Sequence, residues 1–189
     1  MIYESLSTYL KNSIRGNQST RILLFDVDDT LIHTSAQIWV KSPDGSEHSI
    51  SNQEFNDYKA KPGEEFDFRE FNSQKILDND IPTKYLNTLK KEYAKGTHIG
   101  IITARSDCSL IKKFLLKKGI DIKTELVFAV NDPQLGLEGS IQEKKAQIID
   151  HLIKAGYETL VFFDDNEGNL EAAKRLAGGK VKVITVKVK

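Results

Sequence analysis

Four short runs of uninterrupted apolar residues punctuate this chain, and each stops on residues that cannot stay in a core. Ile22-Leu23-Leu24-Phe25 runs into Asp26-Val27-Asp28-Asp29, and Ile99-Gly100-Ile101-Ile102 into Thr103-Ala104-Arg105. Leu126-Val127-Phe128-Ala129-Val130 runs into Asn131-Asp132-Pro133, and Leu160-Val161-Phe162-Phe163 into Asp164-Asp165-Asn166. Apolar runs of this length, without polar alternation, suit strands buried on both faces of a parallel sheet. In such a sheet the polar residues after each run collect at one edge, where open α/β sheets bind ligands.

The segments between the runs read as helices. Ile81, Tyr85, Leu86, Leu89 and Tyr93 form one stripe, which predicts a helix over 82–95 with Pro82 in its first turn and Gly96 at its end. Helices are likewise expected over 108–118 before Gly119, 140–155 before Gly156, and 169–177, with Asn169 as a cap. Lys180, Lys182 and Lys187 interleave with valines over 181–188, the pattern of an edge strand guarded by lysine. A basic nucleic-acid patch is the competing reading. Residues 1–19 suggest a short helix packed on the domain edge. The alternation specifies an α/β, doubly wound, mostly parallel, Rossmann-like sheet.

Residues 33–80 break that rhythm. Gln37–Val40 and Glu47–Ile50 flank the turn Ser42-Pro43-Asp44-Gly45, so a hairpin is expected. The following stretch is rich in Phe and Tyr, which argues against disorder. This predicts a small insert, within one domain spanning 1–189, folded over one end of the sheet. Its Trp39, Phe and Tyr residues could stack on bases or form the insert's own core.

The 189 residues carry 27 Lys+Arg, 27 Asp+Glu and one Cys. One Cys excludes an internal disulfide and a Cys-clustered zinc site. Zero net charge gives no bulk reason to bind nucleic acid. No segment reaches membrane-spanning length and no signal-peptide pattern opens the chain, so a cytoplasmic location is expected. Cys108 reads as a packed helix residue, and the sequence offers no partner for His98.

The strand ends carry the chemistry. Asp26, Asp28, Asp29, Asp164 and Asp165 would converge at one sheet edge and repel unless neutralised. Oxygen donors without His or Cys suit a hard cation, Mg²⁺ first. Thr103 can donate to a phosphoryl oxygen, and Lys144 or Lys145 can supply positive charge. Lys145 fits better, because it lies three and four residues before Ile148 and Ile149 of that helix's buried stripe. Together these residues suggest phosphoryl transfer. Arg105 could contact a substrate phosphate or brace its loop.

Asp26-Val27-Asp28-Asp29-Thr30-Leu31, Thr103-Ala104-Arg105, Lys145 and Asp164-Asp165-Asn166, in this order, resemble the four motifs of the haloacid dehalogenase-like (HAD) superfamily. The resemblance covers roughly 20–32 and 80–188. It implies that Asp26 is a nucleophile that becomes phosphorylated and that Asp28 is the general acid and base. It further implies that Thr103 and Lys145 hold the phosphoryl group. Mg²⁺ would be held by Asp26, the Asp28 backbone carbonyl, Asp164 and Asp165. Asp29, where many members carry Gly, and Arg105 are candidate substrate contacts. Residues 33–80 lie where the family places its first type of cap. The second motif also resembles polynucleotide 3′-phosphatases and small phage-type proteins. The implied activity is a Mg²⁺-dependent phosphomonoester hydrolase, acting on nucleic-acid 3′-phosphate ends or nucleotides. A phosphoprotein or metabolite phosphatase, or a non-catalytic phosphate-binding module, is the alternative. The absence of a Gly-rich Gly-Lys-Ser/Thr loop excludes a fused P-loop kinase.

Overall fold

A computed structural model describes residues 19–189. The helix expected over 1–19 lies outside the described residues, apart from Ser19. The elements, in chain order, are β1 Arg21–Phe25, β2 Ile32–His33, β3 Gln37–Lys41, β4 Glu47–Ser51 and α1 Asn52–Asp57. Then follow β5 Glu65–Asp67, α2 Gln74–Asn79, β6 Ile81–Pro82, α3 Lys84–Ala94, β7 Ile99–Thr103 and α4 Cys108–Lys117. The chain closes with β8 Val127–Ala129, α5 Ile141–Ala155, β9 Thr159–Asp164, α6 Glu167–Lys174 and β10 Lys182–Lys187.

The four apolar runs and the last strand form one five-stranded parallel sheet, in the order β10-β9-β1-β7-β8. Side chains alternate across it. Leu23, Phe25, Ile99, Ile101, Val161 and Phe163 pack with Leu86 and Leu89 of α3 and with Ile111 and Phe114 of α4. Ile22, Leu24, Ile102, Leu160 and Phe162 pack with Ile148, Ile149 and Leu152 of α5 and Leu170 of α6. The result is an α/β, Rossmann-like architecture with helices on both faces. The chain moves from β1 toward β8 through α3 and α4, then crosses to β9. The sheet therefore reverses its winding between β1 and β9, the usual place for a ligand crevice. β10 is an edge strand with Lys182 and Lys187 exposed, as its lysines suggested. No helix among the described residues is long and apolar enough to cross a membrane.

Glycine lets β7 pass through the middle of this sheet. A Cβ on Gly100 would sit 2.9 Å from Leu24 Cδ2 and 3.3 Å from the Leu126 carbonyl. Gly100→Val is expected to lower stability by about 1–3 kcal/mol through overpacking, read by urea denaturation.

Several boundaries depart from the sequence reading. Pro82 lies in β6, paired with Ile32 of β2, and not in the first turn of α3. The helix starts after Thr83, whose hydroxyl accepts from the Tyr85 amide. Residues 124–126 form a 3₁₀ turn, which shortens β8. α6 begins two residues early, because Asn166 and not Asn169 caps it by accepting from the Asn169 amide. His98 has a partner: its Nδ1 lies 3.1 Å from the Tyr157 hydroxyl.

The expected hairpin is present as β3 and β4, and β5 adds a third antiparallel strand on the other side of β3. Ala36, Ile38, Val40, Ile50 and Phe71 form the insert's own core with Phe55, Tyr58 and Phe66. Trp39 takes no part in the cavity described below. Its indole N–H donates to Glu70 at 2.9 Å, and Arg69 lies 5.3 Å from its ring centroid. The insert leaves and rejoins the core through the β2–β6 pair. Buried Asp80 clamps that junction by accepting from the Ser35 amide at 2.9 Å and from the Ser35 hydroxyl.

Candidate functional site

The carboxyl ends of adjacent strands β1 and β9 bring Asp26 and Asp164 side by side. Phe25 and Phe163 are register partners and stack at 4.5 Å, so the next residue of each strand emerges at the same level. Ligand atoms of Asp26, Asp164 and Asp165 lie within 4.8 Å of one another. The carboxylate of Asp28 is outside that group.

Lys145 answers the charge. Ser140 and Glu143 form a capping box that starts α5. Ile148, Ile149 and Leu152 press the helix onto the sheet and carry Lys145 inward. Its Nζ lies 2.8 Å from Asp26 Oδ1 and 2.8 Å from Asp164 Oδ2, and the residue is 2 % exposed. Lys144 instead turns to the rim, donating to Asn131 Oδ1 at 2.9 Å. Lys145 is thus the lysine that enters the carboxylate cluster.

One ammonium among three carboxylates leaves the cluster short of positive charge. The Asp26 carboxyl is pushed well above its ordinary value, first by burial and then by Asp164, Asp165 and Asp28, against the pull of Lys145. For Lys145, burial works downward, but Asp164 and Asp26 outweigh it and hold the ammonium protonated. Asp165 is pushed up to about 6, by burial first, then by Asp164 and Asp29, with Lys145 opposing.

The Asp165 shift has a stability consequence. A carboxyl whose value rises on folding favours the folded chain below its ordinary value of 3.8 and penalises it as pH climbs toward 6. With chelator present, Asp165→Asn is therefore expected to melt several degrees above wild type at pH 7.5. The gap should close as the pH falls below 4. Thermal melts at both pH values check this.

Asn169, read from the sequence as a helix cap in preference to a catalytic role, belongs to the site. It is buried and its amide donates to both oxygens of Asp164, at 3.0 and 3.1 Å. A polar residue on the same helical face as Leu170 and Ala173 was the available signal. Asp164 also accepts from the Asn166 amide at 2.8 Å, so it is held on three sides.

Asp28 and Arg105 form a buried fork. Arg105 donates from Nε to Oδ2 at 2.9 Å and from Nη2 to Oδ1 at 2.7 Å. Its Nη1 donates to the carbonyl of Phe71, and its guanidinium lies 5.2 Å from the Phe71 ring. Arg105 therefore braces the β7 loop against Asp28 and the insert. Thr103 ends β7 fully buried, and its hydroxyl accepts from the Arg105 amide at 3.3 Å. Asp29 adopts a left-handed φ of 55°, which accounts for a position that glycine would also suit, and accepts from Asn52 Nδ2 at 2.8 Å.

The insert roofs this edge. A cavity of about 550 Å³ lies between them, with Asp26, Asp28, Asp165, Lys145 and Arg105 on the core side. Phe55, Phe68 and Phe71 come from the insert. Hydrogen bonds cross between the two parts, from Asn166 Nδ2 to Asn56 Oδ1 at 3.0 Å and from the Ser106 hydroxyl to Asn72 Oδ1 at 3.2 Å. No protein-family model, curated protein or solved structure matches the chain.

Proposed function

We propose that this chain is a Mg²⁺-dependent phosphomonoester hydrolase of HAD type that works through an aspartyl-phosphate on Asp26. The observation that carries the reading is Lys145, shared at 2.8 Å between Asp26 and Asp164 at the floor of a roofed cavity. The order of the four motifs, resembling that superfamily, supports it as well.

The donor set fits a hard divalent cation. Asp26, Asp164 and Asp165 offer carboxylate oxygens alone, and Lys145 leaves part of their charge unbalanced. These three residues would hold Mg²⁺, with the Asp28 backbone carbonyl as a further ligand. When bound, Mg²⁺ would offset charge on the transferred phosphoryl oxygens.

The protein's own groups account for the rest. A carboxylate oxygen of Asp26 attacks phosphorus, and the ester oxygen leaves with a proton from Asp28, which takes up that proton from solvent in exchange for its pairing with Arg105. Asp28 then takes a proton from water, whose oxygen attacks phosphorus. Inorganic phosphate leaves and the Asp26 carboxylate is restored. Lys145 favours the ionised form of Asp26 against the effect of burial and balances the added phosphoryl charge. Thr103 would donate its hydroxyl proton to a phosphoryl oxygen. Arg105 is a positioning residue, because its fork holds the Asp28 carboxylate between proton transfers and ties it to the insert.

Hydrolysis of para-nitrophenyl phosphate with Mg²⁺, and its loss in chelator, tests the proposal. Absence of turnover on this ester and on a broad phosphoester panel would overturn it.

A further inference from the structure

The cavity wall carries information about the rest of the substrate. Among the described residues its cations are Lys145 and Arg105, and both are engaged by carboxylates inside the site. The remaining core-side charges, Asp26, Asp28 and Asp165, are negative. A second phosphate or a carboxylate on the substrate would find no cation on this wall and would face carboxylates.

The insert offers something else. Phe68 is 43 % exposed, although it stands in an aromatic cluster with Phe55 at 5.5 Å and Phe71 at 6.1 Å, both edge-on. A large aromatic ring left open inside a cavity presents a face for stacking. Asn52, Asn56, Asn72, Gln142 and Asn166 line the same cavity. Asn52 Nδ2, Asn56 Oδ1, Asn72 Oδ1 and Asn166 Nδ2 are engaged within the protein, and each of these amides keeps a second polar end. Such groups match the mixed edge of an uncharged heteroaromatic ring.

We infer that the substrate is a nucleoside monophosphate, its single phosphate at Asp26 and Lys145 and its base against Phe68 and the amide rim. This rests on the phosphatase reading and narrows it, since a phosphorylated polynucleotide end brings further backbone phosphates to a wall with no free cation.

The test compares kcat/KM for four esters: a nucleoside 5′-monophosphate, ribose 5-phosphate, a nucleoside 3′,5′-bisphosphate and a 3′-phosphorylated oligonucleotide. The first two share the reacting alcohol and differ by the base. The monophosphate is expected to exceed the others by about 10-fold or more, the scale of one base–aromatic stack. Phe68→Ala, a change at an exposed ring, should collapse the ratio of nucleoside monophosphate to ribose 5-phosphate kcat/KM toward one. Equal turnover of the first two, or preference for the bisphosphate or oligonucleotide, overturns the inference and leaves the phosphatase reading standing. If no ester is hydrolysed, the phosphatase reading falls. Calorimetric titration of the monophosphate against ribose 5-phosphate then decides the ring site by itself: tighter binding of the monophosphate, lost in Phe68→Ala, supports it, and equal binding overturns it.

Discussion

Asp26→Asn is expected to lower kcat by about 10³-fold or more, the scale on which enzymes lose rate when a covalent nucleophile is removed. The substitution keeps the shape of the side chain and an oxygen for Lys145 to meet at the present 2.8 Å. It also removes one of the charges that burial and the neighbouring aspartates disfavour. The variant should therefore melt at or above the wild-type temperature while losing turnover. That pairing separates loss of chemistry from loss of fold. A variant that retains activity would remove Asp26 from the nucleophile's role, and one that unfolds would contradict the charge balance described for the cluster.

Arg105→Ala should have the largest effect on stability, about 3–5 kcal/mol, as expected when one partner of a buried ion pair is removed. The guanidinium is 3 % exposed as a residue and makes two bonds to Asp28 and one to the Phe71 carbonyl. Its loss leaves a buried carboxylate without its partner and a buried carbonyl without its donor. Removing Asp28 as well should recover part of the loss, since the stranded charge goes with it. Urea denaturation of the two single variants and the double variant measures this coupling. A cost for Arg105→Ala below about 1 kcal/mol, the range of exposed ion pairs, would show that Arg105 does not brace the loop.

The architecture was legible where the signal was local. Uninterrupted apolar runs marked β1, β7, β8 and β9, and Gly96, Gly119 and Gly156 marked helix ends with left-handed φ values. Lys145 was preferred to Lys144 from the spacing of Ile148 and Ile149 alone, and the helix places it so. What escaped depends on pairing between distant segments. Bracing of the loop by Arg105 was one of its two readings, but Asp28 and Arg105 are 77 residues apart, and no spacing rule reveals that this aspartate is the partner. Pro82 looked like a helix start until β2 claimed it as a strand partner. Asn169 looked like a cap because caps and buried hydrogen-bond donors use the same residue type. The insert's aromatics divide between a private core and the cavity, a division set by a three-stranded sheet that its weak periodicity did not announce.

Trapping the covalent state tests the central claim most directly. In Asp28→Asn the phosphoryl group should still transfer from para-nitrophenyl phosphate, whose leaving group needs no proton, while hydrolysis of the aspartyl-phosphate is slowed. Borohydride reduction at that stage converts a phosphorylated aspartate to homoserine, which peptide mass spectrometry locates. Homoserine at position 26, dependent on substrate and Mg²⁺, is the predicted result. Reduction at another aspartate, or turnover by the wild-type chain with no reducible residue at position 26 in the variant, would contradict the account.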